Sequence, residues 1–139
     1  MGQSDNLFTP VQLATYTATI ANGGNRYRTH LVKKVTDYAR QNIVEENNSD
    51  SPELIENVGV SESTFKTVRE GMRSVITSGT ASDFSSYPIP VAGKTGTAQN
   101  NTSYDHTTFI CFAPYDEPEI AIAVVLEYGS TSTYSKGVA

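Results

Sequence analysis

Apolar positions along the chain form two helical stripes, then strand-like runs. The first stripe is Leu13, Thr17 and Ile20, with small Ala14, Ala18 and Ala21 beside it, and this spacing predicts a helix. Thr9 is a good N-cap, Pro10 suits the first helical position, and Gln12 completes a capping box. Phe8 and Leu13 are spaced as a hydrophobic staple. Asn22-Gly23-Gly24 stop the helix, because these residues tolerate positive φ. Its threonines lower the intrinsic propensity, so tertiary packing has to hold it.

The second stripe is Phe65, Val68, Met72, Val75 and Ile76, between a cap at Ser61 and a stop at Gly79. Arg69, Glu70 and Arg73 fall mostly on the other side. A Phe/Met stripe at this spacing reads as core.

Between the helices, His30–Thr36 reads as extended, with Ile43-Val44 as its hairpin partner across Asp37–Asn42. Three consecutive strands follow the second helix: Val91–Gln99, Thr107–Ala113 and Glu119–Glu127. Asp116-Glu-Pro118 is a tight turn, so the last two form an antiparallel hairpin. The last strand is apolar at successive positions, which predicts cover on both faces. Tyr128–Thr133 approaches a further element, a helix starting around Ser132 or Ser135. The fold class expected is α+β: an antiparallel sheet of three or more strands packed with helices.

Composition narrows the function classes. At 139 residues, with 37% hydrophobic and 18% charged content, the chain suits one modest folded domain. The net charge of −5 argues against a nucleic-acid partner. Glu45–Glu62 holds six acidic residues and no basic one. It reads as a solvated face around an Asn47–Pro52 surface loop, since calcium-loop spacing is missing. Cys111, between Ile110 and Phe112, reads as a small buried hydrophobe. His30 and His106 lack metal-ligand spacing to each other or to Cys111 and read as structural. Neither a metal nor a cofactor is expected. No run approaches the ~18 apolar residues of a membrane span, and there is no signal-peptide pattern. Both ends start and stop abruptly, so the chain is expected to be a soluble piece of a larger protein.

Val91–Gln99 carries the candidate chemistry. Lys94 is a point charge on a flexible stem, suited to a carboxylate or to tuning a proton transfer. Thr95 and Thr97 lie two apart and share one face of an extended chain, with Lys94 on the other. Gly96 lets a ligand or a second backbone approach closely. The same pattern fits an ordinary edge strand with a solvent-facing lysine. Gly93-Lys-Thr is not a phosphate loop, because the earlier glycine is missing.

Lys94-Thr-Gly-Thr97 contains the Lys-Thr-Gly triplet found, with Ser-x-x-Lys and Ser-Asp-Asn, in penicillin-binding proteins and class A β-lactamases. Its setting makes the match specific. Gly2–Ala14 and Tyr16–Gly24, His30–Lys33, Glu70-Gly-Met72, Gly79-Thr-Ala81, Val91–Gln99, and Phe109 with Phe112-Ala-Pro114 resemble class B, monofunctional penicillin-binding proteins, in that family's order. The resemblance covers nearly the whole chain.

It implies a carboxy-terminal portion, residues 1–139, of a serine D,D-transpeptidase domain of the penicillin-binding protein and serine β-lactamase-like fold. The implied partners are peptidoglycan stem peptides, β-lactams and the remainder of the transpeptidase domain. By the match, Lys94 supplies positive potential beside a proton relay. Thr95, Gly96 and Thr97 line the donor-binding strand, with the Thr97 hydroxyl toward the substrate carboxylate. The Thr97 N–H becomes one oxyanion donor, a role worth roughly 3–4 kcal/mol where such donors have been removed. The whole protein is expected to be membrane-anchored with this domain extracytoplasmic.

The resemblance also implies a nucleophilic serine in a Ser-x-x-Lys motif, and the chain is read as lacking it. Ser4-Asp-Asn6 spells the second motif but lies directly before the Thr9 helix, well out of the family's order. The isolated chain is therefore expected to be inactive, with a raw sheet edge that favours self-association. A noncatalytic β-lactam sensor or scaffold of the same fold is the alternative, and a β-lactamase ranks below both.

Overall fold

Thr9 caps the first helix, α1 (Pro10–Ala21), through a complete capping box with Gln12. A computed structural model describes residues 7–46, 51–99, 104–129 and 136–138. The threonines inside α1 are accommodated by bonding back along the helix. The Thr17 hydroxyl donates to the Leu13 carbonyl at 2.7 Å, and Thr19 donates to Thr15 at 2.9 Å. Thr17 is thereby fully buried without an orphaned hydroxyl. After the Asn22 cap, Gly23 and Gly24 take φ of 77° and 107°. A side chain at Gly24 would also meet the Phe65 ring at 2.7 Å, so glycine is required there twice over.

Four short strands follow: β1 (Asn25–Tyr27), β2 (Lys34–Thr36), β3 (Ile43–Glu46) and β4 (Leu54–Asn57). The β2–β3 hairpin is antiparallel, as the sequence indicates, but only Lys34–Thr36 of the expected His30–Thr36 strand pairs. β4 arises within the acidic segment, where only a solvated face was expected, and pairs antiparallel with β1. Acids within and just before it meet arginines within and just after β1: Arg26 Nη1 lies 2.8 Å from Glu56, and Arg28 Nη2 lies 3.0 Å from Glu53. Part of the expected Asn47–Pro52 loop lies outside the described residues.

Helix α2 (Glu62–Thr77) starts at the Ser61 cap and buries Phe65, Met72 and Ile76, while Val68 stays exposed. Two arginines assigned to its outer side turn inward instead. Arg69 Nη1 donates to the Ala21 carbonyl at 3.2 Å, and Arg73 Nη1 donates to the Val91 carbonyl at 2.6 Å. Their long stems let the charged ends reach carbonyls that their Cα positions do not face. A short 3₁₀ helix (Ser82–Ser86), absent from the sequence reading, then leads to the main sheet.

That sheet has the order β5 (Ala92–Ala98), β6 (His106–Ala113), β7 (Ile120–Leu126), antiparallel and in unbroken register. One face, carrying Ala92 and Phe112, packs on Ile20, Ala21, Phe65 and Met72. The other, carrying Phe109 and Cys111, packs on Ile76 and Ala81. The central strand β6 is covered on both sides, with Phe109 and Phe112 fully buried. β7 was expected to be covered on both faces. α1 packs against it, yet it forms an edge of this sheet among the described residues and is only half-buried. Residues 136–138 are helical, and the expected start of that helix lies outside the described residues.

Candidate functional site

The candidate residues lie on β5, the other edge of the sheet among the described residues. Register places Ala92, Lys94, Gly96 and Ala98 opposite Phe112, Ile110, Thr108 and His106, and Thr95 and Thr97 opposite Phe109 and Thr107. Alternation therefore puts Lys94 on the α1 side of the sheet and both threonines on the side of Ile76 and Ala81. Lys94 is exposed and folds its ammonium onto the Thr95 carbonyl at 2.7 Å. The space a side chain would take at Gly96 is filled by the Thr108 hydroxyl, on the Lys94 face.

Backbone direction follows from three hydrogen bonds. Arg73 takes the Val91 carbonyl and Lys94 takes the Thr95 carbonyl, both from outside the sheet. The Pro90 carbonyl instead accepts from the Tyr115 N–H at 2.8 Å, extending the pairing with β6. In an antiparallel strand the N–H and C=O of one residue point the same way and alternate along the chain. With no bulge in β5, the odd-numbered residues Val91, Gly93, Thr95 and Thr97 direct these groups off the edge. The Thr97 N–H thus faces outward beside exposed Lys94.

The threonine face is held from behind. Thr80 Oγ1 lies 2.9 Å from Thr95 Oγ1. Lys136, its side chain only 9% exposed, donates to the Thr80 carbonyl at 2.8 Å and to Asp83 Oδ2 at 3.0 Å. The resemblance included Gly79-Thr-Ala81 without giving Thr80 a role, and the sequence reading missed Asp83 and Lys136, because ties spanning more than fifty residues leave no local pattern.

Other candidates do not converge here. The spelling Ser-x-x-Lys does occur once, at Ser63-Thr-Phe-Lys66, which corrects the reading that the chain has none. The string sits on the exposed first turn of α2, with Ser63 Oγ 2.9 Å from Ser61 Oγ and Lys66 Nζ 4.0 Å from Glu70. It precedes Arg73, the residue that meets the start of β5, by about 15 Å of helix rise. Ser63 therefore lies well away from the Arg73 contact with the start of β5. Ser4-Asp-Asn6 lies outside the described residues. His106 accepts the Tyr128 N–H through Nδ1 at 3.1 Å, a structural contact. Burial pushes the Cys111 thiol up to about 11, which leaves it an inert packing group at neutral pH. No acid, His or Cys cluster suited to a metal occurs among the described residues. Nor is any described helix long and apolar enough to cross a membrane. A groove of about 490 Å3 between α1 and the β1–β4 pair, lined by Val11, Tyr16 and Ile55 among others, includes none of Lys94–Thr97.

Comparison with known proteins points to one family. The chain is 40% identical over 140 residues to penicillin-binding protein 2A of Bacillus subtilis, covering 92% of this chain and 19% of the relative. It is 35% identical to the peptidoglycan D,D-transpeptidase MrdA of Acinetobacter baumannii, covering 93% of this chain and 21% of that one. The chain thus spans about a fifth of the length of these curated relatives. Among solved structures, an imipenem acyl-enzyme complex of penicillin-binding protein A from M. tuberculosis superimposes with a TM-score of 0.80 at 29% identity, covering 98% of this chain and 30% of that one. The family model for the penicillin-binding protein transpeptidase domain matches residues 1–139. With that match running the full length of the chain and the Lys-Thr-Gly strand at an exposed sheet edge, the chain belongs to the penicillin-binding protein transpeptidase domain family.

Proposed function

We propose that this chain is a carboxy-terminal portion of a peptidoglycan D,D-transpeptidase domain and forms its Lys-Thr-Gly wall. A serine elsewhere in the domain attacks the D-Ala-D-Ala carbonyl of a stem peptide. The new bond is serine oxygen to carbon, the carbon–nitrogen bond breaks, and a proton passes to the departing D-alanine amine. The amine of a second stem then displaces the serine and completes the cross-link. A β-lactam presents the same carbonyl and stays attached as an acyl-enzyme. The substrate lies outside the cell membrane, so the whole protein is anchored there with this domain extracytoplasmic.

In this reading Lys94 lends positive charge to the proton relay around the serine. The Thr97 N–H, aimed off the sheet edge, is an oxyanion donor. The Thr95 and Thr97 hydroxyls take the carboxylate end of the donor, and Gly96, which makes room for the Thr108 hydroxyl on the opposite face, leaves the strand open to the ligand. The chemistry calls for no metal or cofactor.

The observation that carries the proposal is the combination on one edge strand: an exposed lysine, outward Thr95 and Thr97 backbone groups, and a hydroxyl held from behind. The test is labelling with a fluorescent penicillin, comparing this chain with a whole transpeptidase that contains it. The whole protein should label covalently and this chain should not. Covalent labelling of this chain alone, or of neither, contradicts the proposal.

A further inference from the structure

The contacts behind β5 form a single connected path. Lys136 has a nearly buried ammonium. A buried charge is tolerated only where it is paired and hydrogen-bonded. Both of its partners lie just after α2, the Thr80 carbonyl in the turn and the Asp83 carboxylate in the 3₁₀ helix that follows it. That turn is the one that presents the Thr80 hydroxyl to Thr95. Ala81 beside it is fully buried against Ile76, Phe109 and Cys111, so the turn is seated on the core of the sheet.

We propose that Lys136, Asp83 and Thr80 form a positioning relay that sets the Thr95 hydroxyl for the carboxylate of the acyl donor. This rests on the transpeptidase reading above. Lys136 fixes the Thr80 backbone, and Thr80 then fixes the rotamer of Thr95. With Thr80 as donor in the hydroxyl pair, the Thr95 hydroxyl keeps its own proton for the incoming carboxylate. The relay residues touch no substrate. They act through Thr95 alone, and their effect is on donor binding rather than on bond making.

The test uses the whole transpeptidase containing this chain. Acylation by benzylpenicillin and by its methyl ester, which lacks the carboxylate, is followed over a range of concentrations. Thr80→Val should lower acylation efficiency for the free acid about tenfold, the scale of one hydrogen bond to a charged group. The loss should appear in the binding constant and leave the limiting rate unchanged. The ester should acylate as in the wild type, and Thr80→Ser should restore the acid. Lys136→Met should lower the acid in the same way and add nothing to Thr80→Val. If Lys136→Met does not fold, Asp83→Asn replaces it, since the Asp83 side chain is 76% exposed. Unchanged acid acylation in Thr80→Val, or an equal loss for acid and ester, would overturn the relay. If the wild-type protein is not acylated at all, the transpeptidase reading fails separately. The relay is then read from the Thr95 Cβ chemical shift, which moves in Asp83→Asn if the relay exists and stays fixed if it does not.

Discussion

Arg73 reaches from α2 to the carbonyl of Val91 at 2.6 Å, and so ties the helix to the residue that leads into the Lys-Thr-Gly strand. Its guanidinium also lies over the Tyr115 ring, 5.9 Å from the centroid. Arg73→Ala removes a charge-assisted bond and a cation–π contact together. It should destabilise the fold by about 2 kcal/mol, read from urea unfolding. Amide exchange should rise along β5 before it rises in β7. Uniform exchange across the sheet would show that Arg73 does not anchor β5.

Gly93 lies where β5 presses on its neighbour. An added methyl would meet the Ile110 carbonyl at 2.8 Å, the Phe109 ring at 2.9 Å and Cys111 Cβ at 3.0 Å. None of these can swing away, because Phe109 is fully buried and the carbonyl is part of the ladder. Gly93→Ala should therefore cost about 1–3 kcal/mol. Gly71→Ala, where an added methyl meets nothing within 4 Å on the helix surface, should be neutral or stabilising. Comparing the two melting midpoints checks this.

The β2–β3 turn is pH-sensitive through Asp37. The Asn42 amide, followed by the Gln41 N–H, holds its carboxyl below the ordinary aspartate value. A depressed folded pKa gives stability that is present above the unfolded value of about 3.9. It is lost as pH falls through the folded value. The Asp37 carboxyl should titrate below 3.9 by NMR, and the hairpin amides should shift over the same range. Asp37→Asn should abolish the shift. A midpoint above 3.9 would contradict the geometry.

Cys111 should resist thiol reagents. Burial raises it to about 11, so little thiolate exists at pH 8. A maleimide or disulfide reagent should modify it only slowly in native conditions and completely in denaturant. Fast native modification would mean that β6 is less well covered than the packing of Phe109 and Phe112 implies.

Much of this was legible in the sequence, wherever the determinants are local. Thr9, Pro10 and Gln12 mark the start of α1 within four residues, and Ser61 does the same for α2. The three strands from Ala92 to Leu126 are long, β-rich and separated by clear turns, so their antiparallel order could be read directly. β1 and β4 could not. They have three and four residues, show no alternating burial, and find each other across about thirty residues through Arg26–Glu56 and Arg28–Glu53. The inward reach of Arg69 and Arg73 was hidden for a different reason. Periodicity locates a Cα on a helix face, whereas the end of an arginine reaches past it. At the candidate site, spelling and resemblance singled out Lys94, Thr95, Gly96 and Thr97. The direction of the Thr97 N–H and the support from Thr80 needed the pairing in three dimensions. The Ser63-Thr-Phe-Lys66 string was there to be spelled out and was overlooked, and its position on the first part of α2 argues against a nucleophile.

Under the proposed function, Lys94 belongs to the reacting centre of a transpeptidase. The direct measurement is the rate of acylation by a fluorescent penicillin for a whole transpeptidase containing this chain, wild type against Lys94→Ala. Lys94 is exposed and, among the described residues, its ammonium bonds the neighbouring Thr95 carbonyl, so the substitution should leave the melting midpoint unchanged. The acylation rate should fall about a hundredfold, the lower end of what a positioned proton-transfer group contributes. A Lys94→Ala protein that folds and acylates at the wild-type rate would contradict the account.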